Sequence, residues 1–299
     1  MMIKKTGRLL LHLLYCMTAA IMITGCIKDD LADCGNTCYL TVRAYTQSGT
    51  ELGADQVQDV SLFIFDSSNR FIQNINSQVG RRIEIDAPAG EDIHIVAWGN
   101  LSHGGQTYSQ PEQGDLLADC FVELQQTQRT TSYVLSPGDL FRGQITIEGD
   151  DLSGDKILPI YRQVGSMAIT VHNLKEFTGF ADDDYSIIVR ETGSGIGFDG
   201  HVSGDRVAYL PVGTFVSNNG KEEYRVPAFS MLPEDTGMYI DIYYGAQLLV
   251  TVSQNNTGLP IKIEKDKLTN VTVSLNASTG ANVSVSVNDW GNYAGEKEF

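Results

Sequence analysis

Residues 282–288 read NVSVSVN, and this alternation of valine with serine or asparagine decides the fold. Successive side chains of an extended chain point to opposite faces, so a period of two gathers the valines on one side. Such a segment is a strand with one buried face. The signature recurs towards the N-terminus in NVTVSL (270–275), QLLVTVS (247–253), MYIDIYYG (238–245), YRVPAFS (224–230), RVAYLPV (206–212), YSIIVRET (185–192) and SMAITVHNL (166–174). It continues in GQITIEG (143–149), SYVLS (132–136), DIHIVAWGN (92–100), RRIEIDA (81–87), DVSLFIFD (59–66) and YLTVRAY (39–45). Gly, Asn, Asp and Pro bound nearly all of these segments, and thirty glycines suit a turn-rich chain. Only QPEQGDLLADCFVELQQTQR (110–129) has a patch with helical character. The spacing predicts an all-β chain of β-sandwiches. A polar stretch, GDDLSGDKILP (149–159), divides the strands into two sets and places a domain boundary near residue 158, giving domains over 39–158 and 159–299.

The N-terminus reads differently. Lys4, Lys5 and Arg8 precede LLLHLLYCMTAAIMI (9–23), an apolar run of 15 residues. A spanning helix needs about 20 apolar residues, so the run is too short for one and has the flanks of a signal peptide. Ile23-Thr24-Gly25-Cys26 then has the shape of a bacterial lipobox, in which small residues let a peptidase cut before a lipidated cysteine. The expected signal peptide is 1–25, with Cys26 acylated and 26–38 forming a charged tether. A single acyl chain holds a protein only marginally, and additional chains make the attachment stable. Lys28-Asp29-Asp30 resembles the acidic signal that sends some lipoproteins to the outer face of the outer membrane.

The formal charge is −16. Removal of residues 1–25 takes three basic and no acidic residues, so it becomes −19. No basic stripe is present, which excludes nucleic acid as a partner. Of the five cysteines, Cys16 leaves with the signal peptide and Cys26 takes the lipid. Cys34, Cys38 and Cys120 remain as candidate disulfide residues in an oxidising compartment, with three pairings open. Three thiols without a nearby histidine make a poor zinc set, and no metal or cofactor is expected.

Catalytic signatures are missing from the sequence. His94, His103, His172 and His201 are dispersed, and no HExxH, GxSxG or P-loop occurs. GSGIGFDG (193–200) reads as a hairpin loop. The acidic runs at 150–151 and 182–184 lack the alternating ligand spacing of an EF-hand and read as solvated turns. No residue is nominated as catalytic.

Several segments together carry a family resemblance. CIKDDLADC (26–34), VSLFIFD (60–66), IHIVAWGN (93–100), LFRG (140–143), YRQVGSMAITVHNL (161–174) and VSVNDWG (285–291) are similar, in order and spacing, to FimB-like anchor subunits of fimbriae built from lipoprotein precursors. The resemblance implies two tandem transthyretin-like, Greek-key β-sandwich domains. It also implies a structural lipoprotein of the outer membrane, exposed at the cell surface, that anchors a fimbria and limits its length. Its partners would be fimbrial shaft subunits, which lose a first strand to proteolysis and accept one from a neighbour by β-augmentation. An anchor keeps that strand. Here the first basic residues after Cys26 are Lys28 and Arg43, and Arg43 lies inside the YLTVRAY strand, so retention is expected. Shaft contact is then expected from 282–299. The alternatives are a glycan-binding surface lipoprotein, for which Trp98 (in a strand pattern) and Trp290 (in the terminal segment) are not obvious platforms but thirteen tyrosines leave the option open, or a shaft or tip subunit of the same system.

Overall fold

Valine, isoleucine and threonine dominate the alternating segments, and their branched side chains favour a pleated, half-buried surface. The computed structural model describes residues 36–87, 90–127, 133–151, 154–218 and 220–290. The protein is all-β, and its strands are numbered here in chain order.

Eight strands form the first sheet. They are β1 (Asn36–Tyr45), β2 (Glu51–Leu52), β3 (Val60–Asp66), β4 (Phe71–Ser77), β5 (Arg82–Ala87), β6 (Ile93–Gly99), β10 (Phe141–Ile147) and β11 (Asp155–Arg162). Their order is β2-β1-β11-β10-β6-β3-β4, with β5 also on β1. β1 runs parallel to β11 from Tyr39↔Asp155 to Tyr45↔Tyr161. The ladder between β10 and β11 is short, holding only Phe141↔Arg162 and Arg142↔Tyr161. Strands on both sides of this corner fill one core. Leu40, Val42, Leu158 and Ile160 meet Leu62, Ile64, Ile95, Ala97 and Phe141. Each of these side chains other than Ala97 contributes roughly 1.5–3 kcal/mol on burial.

The corner explains Pro159, which sits inside β11. A Cβ built on Gly143 of β10 would lie 2.0 Å from the Pro159 carbonyl oxygen, so that carbonyl faces β10. In a strand the nitrogen of a residue faces the same way as its carbonyl. The missing N–H of Pro159 therefore falls where β10 makes no ladder bond, and only glycine at 143 permits the approach.

Two further sheets follow. One holds β7 (Gln106–Tyr108), β8 (Phe121–Leu124), β9 (Tyr133–Val134), β13 (Tyr185–Gly197), β14 (Val202–Tyr209), β17 (Tyr239–Tyr244) and β18 (Gln247–Val252). The other holds β12 (Gly165–His172), β15 (Thr214–Asn218), β16 (Lys221–Met231), β19 (Lys267–Asn276) and β20 (Gly280–Asp289), in the order β15-β16-β12-β19-β20. A short helix α1 (Leu174–Thr178) follows β12. Ile169, Val171, Ile187, Val189, Ile240, Val271 and Val273 share the second core. That core also reaches the outer face of the first sheet. Phe63, Phe65, Val96 and Trp98 belong to it, and Phe198 lies 4.7 Å from Phe63 and 5.7 Å from Trp98 between ring centroids. β3 and β6 are thus covered on both faces, which is why their sequences run nearly continuously apolar.

Several expectations change. The boundary at 158 falls inside β11, which pairs with β1, because the strand that follows the polar stretch joins the first sheet. Strands β8 and β9, from the first half of the sequence, pair with β13 and β14 of the second. The two halves are therefore interlocked. Among the described residues, the segment 110–129 carries a 3-10 turn at Leu117–Asp119 and strand β8. GSGIGFDG does belong to the β13–β14 hairpin, but its loop is short: strand β13 runs on to Gly197, because it pairs there with β8 as well as with β14.

Arg162 closes the seam between the cores, with its side chain only 6% exposed. Its Nε and Nη2 donate to Asp139 Oδ1 and Oδ2 at 2.6 and 3.0 Å, and its Nη1 donates to Asp266. The Asp266 carboxylate also accepts the Gln47 N–H at 2.8 Å, and its carbonyl accepts the Trp290 N–H at 3.2 Å. The guanidinium carbon lies 5.0 Å from the Phe141 ring centroid and 4.9 Å from that of Trp290. Burial alone would lower the Arg162 pKa; the hydrogen bonds and charges of Asp139 and Asp266 outweigh it, so the pKa is raised. Removing one partner of a buried pair leaves the other charge uncompensated, which costs about 3–5 kcal/mol. Arg162→Ala should lower the unfolding free energy by about that amount in denaturant titration. A loss of less than about 1 kcal/mol would mean that the pairs are solvated and hold nothing together.

Candidate functional site

The first functional question is whether the N-terminal strand can be removed. β1 buries Leu40, Val42 and Ala44 completely. Its parallel ladder with β11 spans seven residues, and β2 pairs at Ala44 and Tyr45. Arg43 stands opposite Pro159 in that ladder. Its side chain is partly exposed and reaches Glu51 at 3.3 Å, but its peptide bond lies within paired strand. A protease needs an extended, unpaired segment, so cleavage at Arg43 requires β1 to leave the sheet first.

Cys26 and Cys34 lie outside the described residues. Cys38 and Cys120 are free and buried, the first in the core of the first sheet and the second in the other core. The Cys38–Cys120 pairing is therefore not made. Burial raises the Cys38 pKa, which Lys156 opposes. Burial pushes the Cys120 thiol up to about 11, helped by Asp115 and Asp119. Thiols kept protonated in this way are poor nucleophiles and behave as packing groups.

The second question concerns open strand edges. β20 pairs with β19 on one side only. On its other side the Asn256 N–H donates to the Val283 carbonyl at 2.9 Å, and the Val283 N–H donates to Asn256 Oδ1 at 2.8 Å. The main-chain groups of Val283 therefore face outward, and the period of two sends those of Val285 and Val287 the same way. Among the described residues nothing bonds them. The valine face also leaves the core: Val283 is buried, Val285 half-buried and Val287 46% exposed. This edge presents both unpaired amides and an apolar side chain. Its C-terminal end returns to the seam, where Lys267 pairs with Asp289 and Trp290 packs against Arg162. Residues 291–299 lie outside the described residues.

The remaining sequence candidates do not converge. His94 meets Thr146, His103 meets Asp59, His172 meets Glu223, and His201 stands apart from all three. Among the described residues no three metal-ligating side chains come together. Trp98 is fully buried, and the Trp290 ring is covered by Arg162, so neither offers an open platform. Sequence reasoning missed Arg162, Asp139 and Asp266. Their only local signal is an arginine closing a strand and an aspartate, Asp266, in the left-handed region that aspartate tolerates (φ 60°).

A family model for the fimbrillin-A associated anchor proteins Mfa1 and Mfa2 matches residues 31–293. The major fimbrium anchoring subunit FimB of Porphyromonas gingivalis is 30% identical over 295 residues, covering 92% of this chain and 92% of that protein. The fimbrial anchor protein Mfa2 of Porphyromonas gingivalis has the same fold, with a TM-score of 0.62, 13% identity, and coverage of 85% of this chain and 97% of that one. A candidate polysaccharide-binding protein of Bacteroides thetaiotaomicron superposes with a TM-score of 0.63 at 14% identity, over 85% and 96% of the two chains. A buried first strand, an open last strand and a match that runs through both cores lead to one assignment: the chain belongs to the family of fimbrillin-A associated anchor proteins.

Proposed function

We propose that the protein is a structural lipoprotein of the outer membrane, exposed at the cell surface, that fixes a fimbria to the cell. The observation that carries the reading is the burial of β1 in the first sheet, since it shields Arg43, where a cut would separate the fold from the tether and Cys26. Cys26 would carry the lipid, and 26–38 the tether. The geometry suits a load. Tension enters at the N-terminal end of β1, whereas β11, parallel to it, leads onward into β12. Pulling the two apart shears the ladder, so its seven pairs resist together instead of opening one at a time. A subunit with its first strand in place accepts no donor strand, so the polymer ends at it. Limitation of fimbrial length follows from the same property.

Shaft contact falls to the other end of the chain, through the free edge of β20 and residues beyond it. Pairing along this edge would satisfy the main-chain groups of Val285 and Val287 and cover the Val287 side chain. The shaft and tip alternatives require loss of β1 and are less well supported.

Two outcomes are expected. In cells making Cys26→Ala, fimbriae should be shed into the medium; retention equal to the parent, with the variant stably exported, would refute the anchor reading. Val287→Lys places a charge at an exposed edge position and should change stability by less than about 0.5 kcal/mol. It should weaken capture of shaft subunits by about tenfold in surface plasmon resonance, the effect of losing about 1.4 kcal/mol. Unaltered capture would move the contact away from β20.

A further inference from the structure

A polar cavity of about 400 Å³ opens beside the Arg162 seam, with walls from both sheets of the fold that meet there. Its volume lies in the range of small-molecule sites, about 300–1,000 Å³. Its lining differs from the usual apolar one. Arg142 enters from β10, and Lys265 from the connection before β19. Arg142 donates from Nε to the Phe198 carbonyl at 2.7 Å and from Nη2 to Gln144 Oε1 at 2.5 Å. Lys265 donates to Gln163 Oε1 at 2.6 Å and more weakly to the Gly200 carbonyl at 3.4 Å. Neither makes an ion pair among the described residues, although the chain carries a formal charge of −16.

The donor inventory leaves capacity unused. A guanidinium has five N–H groups and an ammonium three, and the bonds named above occupy two on each side chain. Burial lowers the pKa of Arg142, against the opposing charge of Asp199, and burial lowers that of Lys265, with the Arg142 charge adding to the effect. Two desolvated cations that repel each other are stabilised by an anion between them. Asp199 also lines the cavity, where its Oδ1 accepts the His201 N–H at 2.9 Å; the three charges sum to a net positive wall. The Gln47 amide oxygen and the Gln144 amide nitrogen stay unbonded among the described residues, and the half-open ring of Tyr161 forms an apolar side. Cations, amides and one aromatic face suit a ligand that is both carboxylated and polyhydroxylated. An acidic protein side chain would use the cations and leave the amides idle.

We infer that this cavity binds an acidic sugar, a uronic acid residue whose carboxylate lies between Arg142 and Lys265 and whose hydroxyl groups meet the glutamine amides. The site is separate from the β20 edge and does not depend on the anchor reading. Methyl β-glucuronide and methyl β-glucoside form a matched pair of probes, differing only in the carboxylate at C6. Saturation-transfer NMR on the mature chain should show binding of the glucuronide and none of the glucoside. Charge-assisted hydrogen bonds are the stronger class, so Lys265→Gln should weaken glucuronide binding by about tenfold or more. Gln144→Leu, at an exposed position, should weaken it without changing the melting curve, and it keeps the test open if Lys265→Gln fails to fold. Equal binding of both glycosides, displacement of the glucuronide by acetate at equal concentration, or full binding by the folded Lys265→Gln variant would each overturn the inference.

Discussion

The parallel ladder between β1 and β11 is the constraint on which the rest of the structure depends. It joins the first described strand to the strand that leads into β12, and so holds β1 between neighbours inside a sheet. Parallel strands need a crossover, and here the crossover is the rest of the first sheet together with β7, β8 and β9. Withdrawal of β1 would expose Leu158 and Ile160, strip Leu40 and Val42 from the core, and leave β2 and β5 without their partner. A strand so placed is an integral part of the first sheet.

Arg162 extends the same logic across the seam. It stands at the C-terminal end of β11, and its guanidinium reaches Asp139, which precedes β10, and Asp266, which precedes β19. Asp266 in turn holds Gln47, just past β1, and Trp290, just past β20. The ends of the first and last described strands therefore meet at one residue, Gln47 on the Asp266 carboxylate and Trp290 on its main-chain carbonyl. Buried ion pairs are weak evidence for net stability, because desolvation offsets much of the Coulomb gain. Their value lies in register: five separate segments have one arrangement that satisfies every charge.

Much of the strand content was legible because burial on one face imposes a period of two. NVTVSL and NVSVSVN became adjacent strands, and their valines align in register from Val271↔Val285 to Val273↔Val283. FIQNINS was missed because β4 is an edge strand whose side chains past Phe71 are mostly exposed or half-buried, which leaves no apolar stripe to read. The polar run at 149–159 resembled a linker because turn residues lead directly into β11, and pairing with a strand more than a hundred positions earlier leaves no local mark. The seam residues escaped for the same reason. Asp139 with Arg142, Arg162, and Lys265 with Asp266 come from three separate segments, and only the folded chain brings them together. The thiols show the converse: sequence alone allowed Cys38 and Cys120 to pair, but burial in different cores separates them.

The central claim is that the mature protein keeps β1 and the lipid ahead of it. Mass spectrometry of the protein extracted from outer membranes, with its N-terminal peptide identified, tests this most directly. The account predicts an acylated Cys26 at the N-terminus, followed by an uncut chain through Arg43 and the whole of β1. A mature chain beginning at Ala44 would contradict it, because the strand that holds the first sheet together would then have been removed.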